Sequence, residues 1–218
     1  MKLTEIIPLD KLAQHVKKPL DVSKATPKNW RELAKVDEDE LFNLALFGWH
    51  RLVLSGHVVD PTSIGPLIDT HDYAALVTRV EDVVGQPLFK EAGLMEARVL
   101  HRKKSFAVAA STAVVLYSGE LYLSDIGILN PARRIPKKDK KSPSHSHEGF
   151  ALLGETMRNV FAAARERKCS LVTLTAAWRP LVPIFERHGF SVEDSIAAKN
   201  GMRLGFGIPM EARPSAIP

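Results

Sequence analysis

The chain has 218 residues, 45% of them apolar and 25% charged, with a formal net charge of +5. Those values suit an ordinary globular domain and exclude a disordered, collagen-like or disulfide-stapled chain. The single cysteine, Cys169, can close no intrachain disulfide, which points to a reducing compartment. The modest positive charge permits anionic ligands such as nucleotides and does not by itself argue for nucleic acid.

The opening MKLTEIIPLDKLAQHVKK reads as a short strand followed by a short helix with Asp10 at its cap. It lacks the continuous apolar core of a signal peptide, and no later run reaches the roughly 20 apolar residues of a membrane helix. A soluble, cytoplasmic protein without a membrane partner is therefore expected. Pro19 and the polar run to Lys28 read as a loop. Acidic residues crowd the start of DEDELFNLALFGWHRLVLSGH, and Leu41, Leu44, Ala45, Trp49, Leu52 and Val53 recur at helical spacing, which predicts a helix closed near Gly56. DPTSIGP reads as a turn. A further helix is expected over THDYAALVTRVEDVV, with Thr70 as its cap.

From Ala97 the texture changes to short runs rich in Val, Leu, Phe and Tyr. They predict an antiparallel meander with a hairpin turn at Ser118-Gly119, although the alanines of SFAVAASTAVV leave a helix open there. The stretch NPARRIPKKDKKSPSHSH is basic and rich in Pro and Ser, and reads as a loop. A helix from about Gly149 to Lys168, a strand in SLVTLTA, a helix in RPLVPIFERHGF and a strand in GMRLGFGIPM complete the pattern. The first half is thus mostly helical. The second reads β-β-β-α-β-α-β, a mixed α/β arrangement.

That order, with ELYLSDIGILNPARR, EGFALLGETMRNVFAAARERKCSLVTLTA and PIFERHGF, resembles the GNAT family of N-acetyltransferases. The resemblance covers about residues 97–210 and implies a single domain over 1–218, with 1–95 as its mostly helical N-terminal part. It implies a mostly antiparallel central sheet flanked by helices, whose fourth and fifth strands diverge to admit the pantetheine arm of an acyl-CoA. It implies acetyl-CoA as cosubstrate, with the diphosphate held by backbone amides where the loop after strand four enters the next helix. The family's signature there falls on Ser146, Gly149 and Ala151. Gly149 allows close backbone approach, and the N–H groups of Gly149, Phe150, Ala151 and Leu152 at a helix start would be donors to the diphosphate. Arg133 and Arg134 of the basic loop would meet the phosphates. The backbone of Ile126, Gly127 and Ile128 would face the thioester arm. The tyrosine that protonates the leaving thiolate in many members is replaced by Phe185, which has no proton to give.

Transfer of an acyl group to an amine needs a base for the ammonium proton, a donor for the thioester carbonyl and close alignment of the two reactants. Glu120, Tyr122 and Asp125 are the candidate catalytic side chains. Strand alternation places Glu120, Tyr122 and Ser124 on one face and Asp125 on the other. Glu120 also reads as a solvated turn residue, Tyr122 as packing, and Asp125 as half of a salt bridge. His188 beside the HGF turn could assist proton transfer or cap the surface. Cys169 reads as a packed thiol, Trp178 as a core, cap or adenine-stacking residue, and Trp30 and Trp49 as core. His145 and His147 with Glu148 have no third ligand at standard spacing, and no metal is expected.

The expected partners are acyl-CoA and an amine acceptor, small molecule or protein. The alternative is a catalytically degenerate module on the same scaffold, of a kind phage genomes could encode, serving a binding or structural part. Nucleic acid is not expected, because the aromatic residues do not interleave with the basic ones.

Overall fold

The computed structural model describes residues 1–16, 18–101, 104–128 and 152–215. Among these, strands β1 (Asp21–Ala25), β2 (Phe89–His101), β3 (Lys104–Leu116), β4 (Leu121–Ile128), β5 (Val172–Trp178), β6 (Ser191–Val192) and β7 (Phe206–Ala212) form one sheet in the order β1-β2-β3-β4-β5-β7-β6. Every pairing is antiparallel except β4 with β5. The fold is a mixed α/β, mostly antiparallel sheet with helices on both faces, as the GNAT resemblance implied.

Helices α1 (Leu9–Val16) and α6 (Leu152–Glu166) cover one face. Leu12, Met157, Val160 and Phe161 pack there on Leu121, Leu123, Ala113 and Val115. The other face carries α2 (Trp30–Val36), α3 (Glu38–Leu54) and α5 (Tyr73–Val84), whose Leu41, Leu44, Trp49, Leu76 and Val80 meet Val114, Leu116 and Tyr122. Alternate residues of β3 and β4 thus feed two separate cores, as the period of two in a strand requires. Asp37 caps α3, its Oδ1 accepting from Glu40 N at 2.9 Å. Gly119, at φ +78°, makes the β3–β4 turn that the sequence predicted.

The remaining helices are α4 (Gly65–Asp69), α7 (Val182–Glu186) and α8 (Ile196–Leu204). Several expectations need correction. The N-terminal segment is a 3₁₀ turn, Leu3–Glu5, and not a strand. Leu3 and Ile6 are buried against the sheet, and helical geometry lets both reach it. The expected loop at 19–28 contains edge strand β1, whose mostly exposed side chains gave no alternation to read. Asp72, not Thr70, caps α5, and Thr70 instead ends α4, which begins within the expected turn. The alanine-rich run is strand β3, because small side chains fit between two helical layers. GMRL belongs to α8, so the last strand begins at Phe206.

Candidate functional site

The centre of interest is β4, which pairs with β5 only at Leu121↔Val172, Tyr122↔Thr173 and Leu123↔Leu174. Beyond Leu123, β4 stays on β3 as far as Ile128, while β5 stays on β7 as far as Trp178. The two strands therefore part, and from Ser124 onward the β4 edge facing β5 pairs with no strand among the described residues. Such an edge leaves backbone N–H and C=O groups for another partner.

A β-bulge marks the point of parting. Ala113 pairs with Leu123 and Thr112 with Asp125, so Ser124 is the extra residue. The bulge overturns the alternation expected from sequence. Asp125 pairs with Thr112, which shares a face with Val114, the partner of Tyr122. Asp125 thus lies on the α3 side with Tyr122, not opposite it.

Tyr122 is buried and stacked flat on Phe47 of α3, with ring centroids 3.8 Å apart and planes inclined by 1°. It shares hydrogen bonds with Thr175 and Ser124, and burial pushes its phenol above the usual range. Asp125 is exposed and lines a cleft of about 410 Å³ with Ser23, Asp37, Glu96 and Thr112. Glu120 stands at the closed end of the strand pair. It is buried rather than solvated, and Arg51 donates to its Oε1 at 2.5 Å while also donating to Glu193 at 2.9 Å. His50 closes this network at 2.8 Å from Glu193. Burial raises the Glu120 carboxyl, and Arg51 opposes the rise. Glu120 therefore precedes β4, whereas Asp125 lies past the bulge on its parted stretch.

Gly127 sits on the parted stretch, where an added Cβ would meet nothing within 4 Å. Ile126 is half-buried and Ile128 fully buried. Leu152 opens α6 from within the core. Arg133, Arg134, Ser146, Gly149, Phe150 and Ala151, with His145, His147 and Glu148, lie outside the described residues. Among the described residues, no group of three His, Cys, Asp or Glu could hold a metal. Phe185 is buried, its ring 6.0 Å from Phe190 and edge-on to it. Burial, followed by the charge of Arg158, lowers the His188 imidazole. Trp178 is exposed, and Cys169 is buried.

The residue that sequence reasoning missed is Glu40. It lies in the first turn of α3, is 5% exposed, and its Oε1 has no hydrogen-bond partner. Its carboxyl takes a hydrogen bond from the Ser124 side chain at the bulge. Burial chiefly pushes its pKa up to about 7; Ser124 opposes the rise, and the charges of Asp37 and Asp125 add to it. The signal was present in the sequence. Glu40, Leu44 and Phe47 fall at i, i+4 and i+7, which puts the carboxylate on the buried stripe of α3.

No family model and no curated protein matches this chain. Solved structures do. One, described as a candidate acyl-CoA N-acyltransferase from Klebsiella pneumoniae, is 14% identical, with a TM-score of 0.37 over 89% of this chain and 97% of that one. A PaiA N-acetyltransferase from Thermoplasma acidophilum, crystallised with coenzyme A, is 14% identical, with a TM-score of 0.33 over 88% and 99%. Nourseothricin acetyltransferase is 16% identical, with a TM-score of 0.34 over 56% of this chain and 65% of its own length. At these values the likeness carries no argument by itself, and the assignment of the fold rests on the strand order, the single parallel pair and the bulge.

Proposed function

We propose that this chain is an acyl-CoA-dependent N-acyltransferase, with acetyl-CoA as the expected cosubstrate and an amine as acceptor. The observation that carries the proposal is the parting of β4 from β5 after three residue pairs, at a bulge. A thioester arm carries amide groups that need backbone partners, and the β4 edge at residues 126–128, which pairs with no strand on the β5 side among the described residues, supplies them as a strand edge supplies an added strand. The same edge holds N–H groups for the carbonyl oxygen of the thioester, where negative charge develops during attack. Gly127 leaves room for that approach.

The proposed diphosphate site is the entry to α6, built from the N–H groups of Gly149, Phe150, Ala151 and Leu152 with Ser146, Arg133 and Arg134. Asp125 and Tyr122 border the site of attack from the α3 side, where Asp125 would steer the acceptor and Tyr122 would shape the pocket through its stack on Phe47. Glu120 is already engaged by Arg51, which suits a positioning role at the closed end of the strands.

Phe185 favours a second reading, a scaffold that binds acyl-CoA without turning it over, because no phenol stands at that position to protonate a leaving thiolate. Calorimetric titration with acetyl-CoA, followed by thiol release with a panel of amines, decides between them. Binding below millimolar Kd together with amine-dependent thiol release is expected. Binding without release with any amine selects the degenerate module, and no binding removes both readings.

A further inference from the structure

The cleft beside the bulge has a marked charge. Among the described residues, Asp37, Glu96 and Asp125 line it against one cation, Lys24, in a chain whose formal net charge is +5. Glu96 pairs with Arg98 across the surface, and Lys24 with Glu5. Behind these surface groups stands Glu40. Its carboxyl is held at the bulge by Ser124, with one oxygen unpartnered, and the charges of Asp37 and Asp125 on the cleft wall act on it. A buried carboxylate oxygen without a donor costs free energy unless a ligand supplies one. An ammonium group supplies both the charge and the donors.

Resting on the acyltransferase reading, we infer that this cleft is the acceptor site, that it takes a small cationic amine, and that Glu40 is the base that removes the amine's proton. In the step, the acceptor ammonium gives one proton to the Glu40 carboxylate. The freed nitrogen lone pair forms a bond to the thioester carbonyl carbon, and the carbon–sulfur bond breaks as the carbonyl re-forms. The second nitrogen proton passes to the departing sulfur, directly or through water, and Glu40 returns its proton to solvent. The products are an amide, a thiol and one proton, and no side chain is needed in place of the missing phenol at Phe185. A base that changes protonation near neutrality is matched to this task. The groups acting on Glu40 are Asp37 at the cap of α3, and Asp125 and Ser124 on β4; Tyr122 of β4 feels its charge in turn.

The test is acetyl-CoA cleavage by the full chain, read as thiol release from pH 5 to 10, with 1,4-diaminobutane or glutamate as acceptor. The diamine is expected to exceed glutamate in kcat/KM by at least about tenfold, as like charges disfavour the anionic acceptor. Glu40→Gln is expected to lower kcat about 100-fold or more, to abolish the acidic limb of the profile and to leave KM for acetyl-CoA within about twofold. Ser124→Ala removes a bond that favours the ionised carboxylate, so it is expected to move the acidic limb to higher pH. A merely structural role for Ser124 would not move that limb, and this variant keeps the inference testable should Glu40→Gln fold poorly. Unchanged kcat and pH profile in Glu40→Gln, or equal use of glutamate, would overturn the inference while leaving acyl transfer intact. Acetyl-CoA bound but cleaved with neither amine overturns the acceptor assignment alone. No acetyl-CoA binding sinks the acyltransferase reading first.

Discussion

At the level of single residues, Glu40 carries a stability cost that can be read apart from any activity. Its carboxyl is raised to about 7 from an ordinary value of 4.5, chiefly by burial. A carboxyl raised on folding binds its proton more tightly in the folded chain, so its burial costs nothing below pH 4.5 and about 3 kcal/mol above pH 7. Stability conferred by the protonated form is thus lost as pH rises through that window. Glu40→Gln, which keeps shape without charge, is expected to melt several degrees above the parent at pH 8 and at the same temperature near pH 4.5, as checked by calorimetric scans at both pH values. Equal melting temperatures at pH 8 would mean that Glu40 is well solvated or paired. The residue was legible as part of an acidic helix start, and its spacing with Leu44 and Phe47 set it on the buried stripe, but what it would meet there was not legible. Only the tertiary approach of α3 to the bulge decides whether a first-turn glutamate meets water or Ser124. Asp125 teaches the same lesson differently. Alternation assigns it one face, and an inserted residue one position earlier assigns it the other.

Elements tell a related story. The helix α3 was plain in the sequence, because seventeen residues with helical apolar spacing leave little competition; the meander β2–β3–β4 was legible from Ala97 onward, with the alanines of β3 leaving a helix open. The 3₁₀ turn at Leu3–Glu5 and strand β1 were not, because both take their conformation from β2. Gly93 of β2 is where that dependence concentrates. A Cβ there would lie 2.5 Å from Leu3 Cβ and 2.8 Å from the Leu3 carbonyl carbon. Backbone must then move, so Gly93→Ala is expected to cost about 1–3 kcal/mol by overpacking, read as a lower urea midpoint. A midpoint unchanged within error would mean that the N-terminal turn is free to lift away.

Across the whole molecule, Arg51 joins parts far apart in sequence, reaching from α3 to Glu120 at the start of β4 and to Glu193 beyond β6. The two carboxylate side chains are 7% and 6% exposed and the arginine 13%. Arg51→Ala would leave two buried carboxylates short of their cation, and breaking such a network costs about 3–5 kcal/mol. The expected result is a large fall in denaturant midpoint; a fall under about 0.5 kcal/mol would class the network with exposed ion pairs. The distribution of legibility follows the same scale. The mixed α/β order of elements could be read from pattern alone, and the mostly antiparallel sheet from the resemblance. The cleft at Asp37, Glu96 and Asp125 could not, because its walls come from segments separated by tens of residues. Finally, the only sulfhydryl in the sequence, Cys169, is 8% exposed, and burial holds its thiol above the ordinary range. A chromogenic disulfide reagent added to the native protein therefore finds almost nothing to react with. Any rapid colour belongs to coenzyme set free, and turnover can be followed continuously without a cysteine-free variant.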